Sequence, residues 1–181
     1  NELLKDQLAE VYDQARKFDA HLGPVGTTLS VGVFYGDTPY SLKKTSEVWS
    51  DTRGDCPFIK CPQLQCDGAL RVEDTDVPES EGRLKCRKCS SVVESRHLRF
   101  TRTAMAKDPP DILFTSVEMF NQRMSDSEFR HLLGLGPKAE RVPALLLLDE
   151  VHLYTGAFGA QVAHLLRRWA HLTRRQTQYV G

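Results

Sequence analysis

Nowhere does this chain carry an apolar run approaching the roughly 20 residues needed to span a bilayer, and its N-terminus lacks the basic-then-apolar order of a secretory signal. Both absences predict a cytoplasmic protein with no membrane partner. Charge of one sign is not in excess either, since 24 Lys and Arg balance 24 Asp and Glu. Any nucleic-acid surface must therefore come from local segregation of charge. Such segregation is present: from Glu73 to Glu81 every charged residue is acidic, whereas from Arg83 to Lys107 eight Lys or Arg face Glu94 alone. Cysteine is absent outside Cys56 to Cys89, where all five lie. Without a secretory signal, such clustering favours a metal site over a disulfide framework. A hydrophobic content of 40% with 27% charged residues in 181 excludes disorder and fibre, and allows one domain with a substantial core.

The most informative stretch is Ala144 to His152, Ala-Leu-Leu-Leu-Leu-Asp-Glu-Val-His. Five apolar residues after Pro143 suit a strand buried on both faces, as in the centre of a parallel sheet. Ligands bind at the carboxyl ends of such strands. Asp149 and Glu150 emerge there as neighbours pointing in different directions, so that one can hold a metal while the other handles a proton.

Upstream, Leu4, Leu8, Val11, Ala15 and Phe18 recur at helical spacing, which predicts an amphipathic helix over Glu2 to Phe18. It opens without a preceding strand or cap, which reads as a domain cut rather than started. Thr28 to Tyr35 is β-branched and aromatic and reads as a strand, ended by Gly36-Asp37-Thr38-Pro39. After Trp49 the composition turns to Gly, Pro, Cys and charge, marking an insertion. Asp111 to Thr115 returns to an apolar strand, and Thr115 or Ser116 then caps a helix. Beyond His152, Phe158, Val162, Leu165, Leu166, Trp169 and Leu172 form one helical face. Arg167, Arg168, Arg174 and Arg175 lie toward that helix's end, where they read as solvated or dipole-stabilising cations. Gln178 to Gly181 begins another strand.

Within the insertion, Cys56, Cys61 and Cys66 are separated by four residues each, and Cys86-Arg-Lys-Cys89 follows after nineteen more. Two short turns, each presenting two thiolates to a tetrahedral ion, make a zinc ribbon. Cys61, Cys66, Cys86 and Cys89 are the favoured Zn2+ ligands, with Cys56 spare or an alternative. So polar a segment has little core of its own, and zinc is expected to supply most of its folding energy.

Asp149-Glu-Val-His152 resembles motif II, the Asp-Glu-x-His box, of the superfamily 2 DEAD/DEAH-type helicases and translocases. Asn1 to Gln7 resembles their motif Ia. Pro109 to Met119 resembles motif Ib, with Val117 in place of the familiar proline. Tyr35-Gly-Asp-Thr-Pro39, Tyr154-Thr-Gly-x-x-Gly159 and Leu165-Leu-Arg-Arg168 are similar to segments of the MrfA-like DNA repair helicases and of the DISARM anti-phage helicase. That resemblance implies an α/β fold, a partial RecA-like parallel sheet with flanking helices interrupted by a zinc-ribbon-like insertion. Its parts would be residues 1–49 with motif Ia, the insertion at 50–108, and residues 109–181 with motifs Ib and II. By the same resemblance Asp149 would organise the Mg2+ of bound ATP, Glu150 would be the general base, and His152 would link the ATP site to nucleic acid. Lys5, Gln7, Thr115 and Ser116 would meet DNA, single-stranded or at a duplex junction. Arg96, Arg99 and Arg102 of the basic segment would extend that face. A second RecA-like domain of the same parent chain, and defence or repair proteins, are the implied partners. Neither motif III nor a Gly-x-x-x-x-Gly-Lys-[Ser/Thr] phosphate loop occurs in these 181 residues, so the chain alone is expected to be catalytically inactive. A non-enzymatic zinc-ribbon adaptor that binds nucleic acid or protein is the alternative.

Overall fold

The computed structural model describes residues 2–22, 28–174 and 177–181. Asn1 and Arg175, both singled out above, lie outside the described residues. Two compact units divide the chain, Asn1–Thr115 and Ser116–Gly181. Among the described residues, no helix is long and apolar enough to cross a membrane.

The first unit is built on a three-stranded parallel sheet with order β6-β1-β7. Its centre, β1 (Val31–Phe34), is buried at all four positions, as expected of a strand covered on both faces. β7 (Ile112–Thr115) pairs along the whole of β1, from Val31 opposite Ile112 to Phe34 opposite Thr115. β6 (Leu98–Arg99) flanks its other side. Gly32 has no side chain because a Cβ there would lie 2.5 Å from Cγ of Pro110. The N-terminal helix α1 (Glu2–Leu22) buries Leu8, Tyr12 and Ala15, one i, i+4, i+7 row. Phe18 falls off that row and is 53% exposed.

Between β1 and β6 the chain leaves the parallel sheet. The short helix α2 (Thr45–Val48) leads into an antiparallel sheet of β2 (Asp55–Lys60), β3 (Ala69–Val72), β4 (Arg83–Cys86) and β5 (Val92–Glu94), in that order. This sheet has more core than its composition suggests. Phe58, Ile59, Leu70, Leu84 and Val93 are all buried, in one cluster with Leu8 and Tyr12 of α1 and Val31 of β1. The expectation that zinc supplies most of the folding energy is corrected accordingly: few apolar residues suffice when a neighbouring sheet and helix complete their burial.

The second excursion is α3 (Arg102–Lys107), capped by the Thr101 hydroxyl, which accepts from the Ala104 N–H. Arg102 Nε donates to the Thr38 carbonyl at 2.9 Å and its NH2 to the Gly36 carbonyl at 3.0 Å. Thr38 is itself buried, its hydroxyl donating to the Val33 carbonyl and accepting from the Tyr35 N–H. The Gly36-Asp-Thr-Pro39 turn is thus held from both ends.

In the second unit, α4 (Val117–Met124) starts at Ser116, whose Oγ accepts from the Met119 N–H at 3.2 Å. β8 (Leu145–Leu147), α5 (Gly156–Thr173) and β9 (Gln178–Val180) follow, and the two strands pair in parallel around the connecting helix. Trp169 of α5 is fully buried, edge-on to Phe120 at 5.5 Å, with its indole N–H on the Leu133 carbonyl. β8 departs from the doubly buried strand predicted by its apolar run. It pairs with β9 alone, and Leu145 and Leu147 are 47% and 67% exposed. An apolar run signals fitness for burial, whereas burial itself needs covering elements, and β9 is as exposed as β8, with Tyr179 45% and Val180 53% exposed although the Tyr179 ring meets Trp169 edge-on.

Candidate functional site

Two sites emerge, one in each unit. In the first, four thiols converge at the end of the antiparallel sheet. The turn after β2 carries Cys61 and Cys66, and the turn after β4 carries Cys86 and Cys89. Their sulfurs all lie within 4.8 Å of one another, with Cys61 to Cys89 at 3.4 Å and Cys66 to Cys86 at 3.7 Å. A tetrahedral ion with Zn–S bonds of about 2.3 Å would hold sulfurs roughly 3.8 Å apart. The four cysteines therefore fit zinc, which when bound there would cross-link the two turns.

The second turn is shaped to stabilise thiolates. Cys86 Sγ receives the N–H groups of Lys88 at 3.4 Å and Cys89 at 3.5 Å. Burial pushes the Cys86 thiol up, but those N–H groups and the neighbouring thiols outweigh it and bring it down to about 7. Gly68 gives the sulfurs room, since a Cβ there would lie 2.4 Å from Cys86 Sγ and 3.4 Å from Cys66 Sγ. Lys88 forms a 2.6 Å ion pair with Asp67 across the two turns, raising the lysine and lowering the carboxyl. Cys56 is not a member. It sits in the apolar core, where burial pushes its thiol up to about 12, the behaviour of a buried unreactive thiol. Geometry thus chooses the pair that irregular spacing had left open.

In the second unit, β8 ends at Leu147 and Leu148 leads into the turn at Asp149-Glu150, after which residues Val151–Leu153 form a single 3-10 turn. Asp149 Oδ1 accepts from the Glu150 N–H at 2.9 Å. Glu150 is left-handed, with φ 53°, a conformation uncommon outside glycine that Arg53, Gln65, Ser90 and Arg174 also adopt here. Its carboxylate then turns to His152 Nε2 at 3.1 Å. All three side chains are solvent-exposed. The bend separates the two carboxylates, one folded back on the backbone and one directed to the imidazole.

The predicted nucleic-acid residues are each engaged within their own unit. Lys5 and Gln7 are half-buried in the first turns of α1, a helix that packs on β2 and pairs its Asp6 with Lys60. The Thr115 hydroxyl donates to the Phe34 carbonyl, and Ser116 is occupied as a helix cap. The basic segment is largely neutralised by the fold. Lys85 pairs with Glu73, Arg87 with Asp55 and Arg96 with Glu94. Arg99 is 6% exposed and bound to Asp108 and the Arg96 carbonyl, and Arg102 holds the Gly36 to Pro39 turn. Of the three arginines, Arg96 keeps an exposed guanidinium.

Sequence reasoning missed Glu79. Its Oε1 accepts from the Leu42 N–H at 2.9 Å and its Oε2 from the Thr101 hydroxyl at 2.6 Å, tying the acidic stretch to residues on either side of the antiparallel sheet. No local signal marks such a residue, because its partners are 37 and 22 positions away.

Comparison with known proteins gives one informative match. Over 74 residues the chain is 30% identical to a protein of Methanocaldococcus jannaschii described as an uncharacterised ATP-dependent helicase. The match takes in 41% of this chain and 10% of that protein's length. No family model matches the chain, and no solved structure matches it. The similarity supports a relationship to helicases.

Proposed function

We propose that this chain is part of the motor of an ATP-dependent DNA helicase or translocase, a partial RecA-like domain carrying a zinc ribbon. One observation carries the reading: the turn that follows a parallel strand carries Asp149-Glu150-Val-His152, with Glu150 bent into the left-handed region and its carboxylate on His152. The similarity to the archaeal helicase supports it independently. In this reading Asp149 helps hold Mg2+, which when bound with ATP neutralises charge on the transferring phosphate. Glu150 accepts the proton of the attacking water, and His152 orients Glu150 and relays the state of the site toward nucleic acid. A second RecA-like domain of the parent chain completes the site, and anti-phage defence or DNA repair is the setting. The four cysteines hold together the two turns of the ribbon.

The test is ATP turnover by the full-length parent protein with and without Glu150→Gln. Loss of turnover is expected. Unaltered biological function in that variant would instead favour the non-enzymatic adaptor, whose supporting observation is the cysteine cluster alone.

A further inference from the structure

The cations of α5 behave differently from those of the basic segment. On α5, His164, Arg167, Arg168 and His171 are all exposed, and Arg174, exposed too, follows at the helix end. At 100° per residue they occupy one stripe, opposite the buried row of Val162, Leu165 and Trp169. The spacing from His164 through Arg167 and His171 to Arg174 puts one such side chain on each turn, over about 15 Å. None of the 18 residues of α5 is acidic. Among the described residues no carboxylate pairs with Arg167, Arg168 or Arg174. Arg168 is instead oriented by a 2.7 Å hydrogen bond to Asn121 of α4, which leaves most of its N–H groups available. Lys85, Arg87, Arg96 and Arg99 of the basic segment each have a carboxylate partner, whereas the arginines of this stripe are left to anions from outside.

We infer that the α5 stripe is a binding surface for the backbone of single-stranded nucleic acid. Guanidinium forks match phosphate oxygens bidentately. The alternating imidazoles are planar groups on which unpaired bases stack. N-terminal to His164 the helix exposes Ala160, Gln161 and Ala163, and Leu172, 52% exposed, stands beside the stripe. The end-of-helix location that suits the dipole accounts for Arg174 but not for a row reaching back to His164. This surface concerns contact alone and stands whether or not the parent protein hydrolyses ATP.

The experiment is fluorescence anisotropy of the 181-residue chain with labelled oligo(dT) across a salt series. Arg167→Gln/Arg168→Gln/Arg174→Gln should weaken binding about tenfold and lower the log–log salt slope by about 2, three single-strand phosphate contacts at roughly 0.7 each. Because Arg168 also bonds Asn121, the double variant R167Q/R174Q, which removes no hydrogen bond, should show the same trend with a slope change of about 1.4. A control removing three other exposed charges, K43Q/K44Q/K138Q, separates the stripe from net charge. Equal weakening in that control, unchanged binding in both arginine variants, or failure of the unmodified chain to bind oligo(dT) would each overturn the inference. So would loss of sedimentation with phosphatidylserine vesicles while oligo(dT) binding stays intact.

Discussion

Cys61 Sγ lies 3.4 Å from Cys89 Sγ, a contact between residues 28 positions apart that closes two separate turns into one four-sulfur cluster. Purified chain is accordingly expected to carry about one zinc, releasable by chelator. C86S or C89S should abolish retention, while C56S should keep the metal, since Cys56 lies in the apolar core. Elemental analysis checks this, and zinc lost equally in C56S would contradict the ligand set. Chelation should speed amide exchange at residues 61–68 and 86–91 while the Leu70 and Leu84 amides, in the shared core, stay protected.

Gly68 makes a sharper test of the same geometry. Gly68→Ala places a methyl 2.4 Å from Cys86 Sγ and 2.8 Å from Lys88 Cβ, so the knuckle must shift. Zinc affinity should fall at least about tenfold, the scale of supporting-shell defects at metal sites. Gly36→Ala, which meets nothing within 4 Å, should leave it unchanged. Competition with a chromophoric chelator measures both.

Glu79→Ala deprives the Leu42 N–H and the Thr101 hydroxyl of their acceptor at once. The expected cost is about 1–3 kcal/mol, read from urea denaturation at unchanged slope. Neighbouring Ser80, exposed, should tolerate Ala within about 0.5 kcal/mol. Equal tolerance at Glu79 would contradict its role as the tie between the acidic stretch and residues Leu42 and Thr101.

What could be read in advance follows from how local each signal is. The Ser116 cap, the Cys86-x-x-Cys89 turn and the centre of the α5 face rest on neighbours within a few positions, and the structure shows all three, with Val162, Leu165 and Trp169 buried, whereas Phe158 and Leu172 at the two ends of the expected face are exposed. The charge segregation between residues 73 and 107 was visible too, but its meaning was not. Lys85 sits opposite Arg71 across the β3–β4 ladder, and strand pairing brings Glu73 within 3.0 Å of it. Arg87 likewise finds Asp55 across 32 positions. The fold brings the basic segment carboxylates from the acidic stretch (Glu73) and from outside it (Asp55, Asp67, Glu94, Asp108), whereas the arginines of α5 have no carboxylate partner among the described residues. The sequence favours Cys61 over Cys56, and the cluster contains it while Cys56 lies in the apolar core.

The arginines of the basic segment should separate by role. Arg99→Gln removes a nearly buried guanidinium that holds Asp108 and the Arg96 carbonyl, at about 1–3 kcal/mol. Arg102→Gln should loosen the Gly36 to Pro39 turn at a similar cost. Arg96→Gln, whose pairing with Glu94 is exposed, should change stability by less than about 1 kcal/mol. Thermal or urea unfolding of the three variants distinguishes these outcomes, and a large loss at Arg96 would contradict the assignment.

The most direct measurement is steady-state ATP hydrolysis by the full-length parent protein carrying Glu150→Gln, an isosteric change that keeps the bend and removes the base. The account predicts DNA-stimulated turnover in the unmodified protein and a fall of about 100-fold or more in the variant. Turnover undiminished by Glu150→Gln would contradict the assignment of Asp149-Glu150-Val-His152 as the hydrolytic centre of a motor.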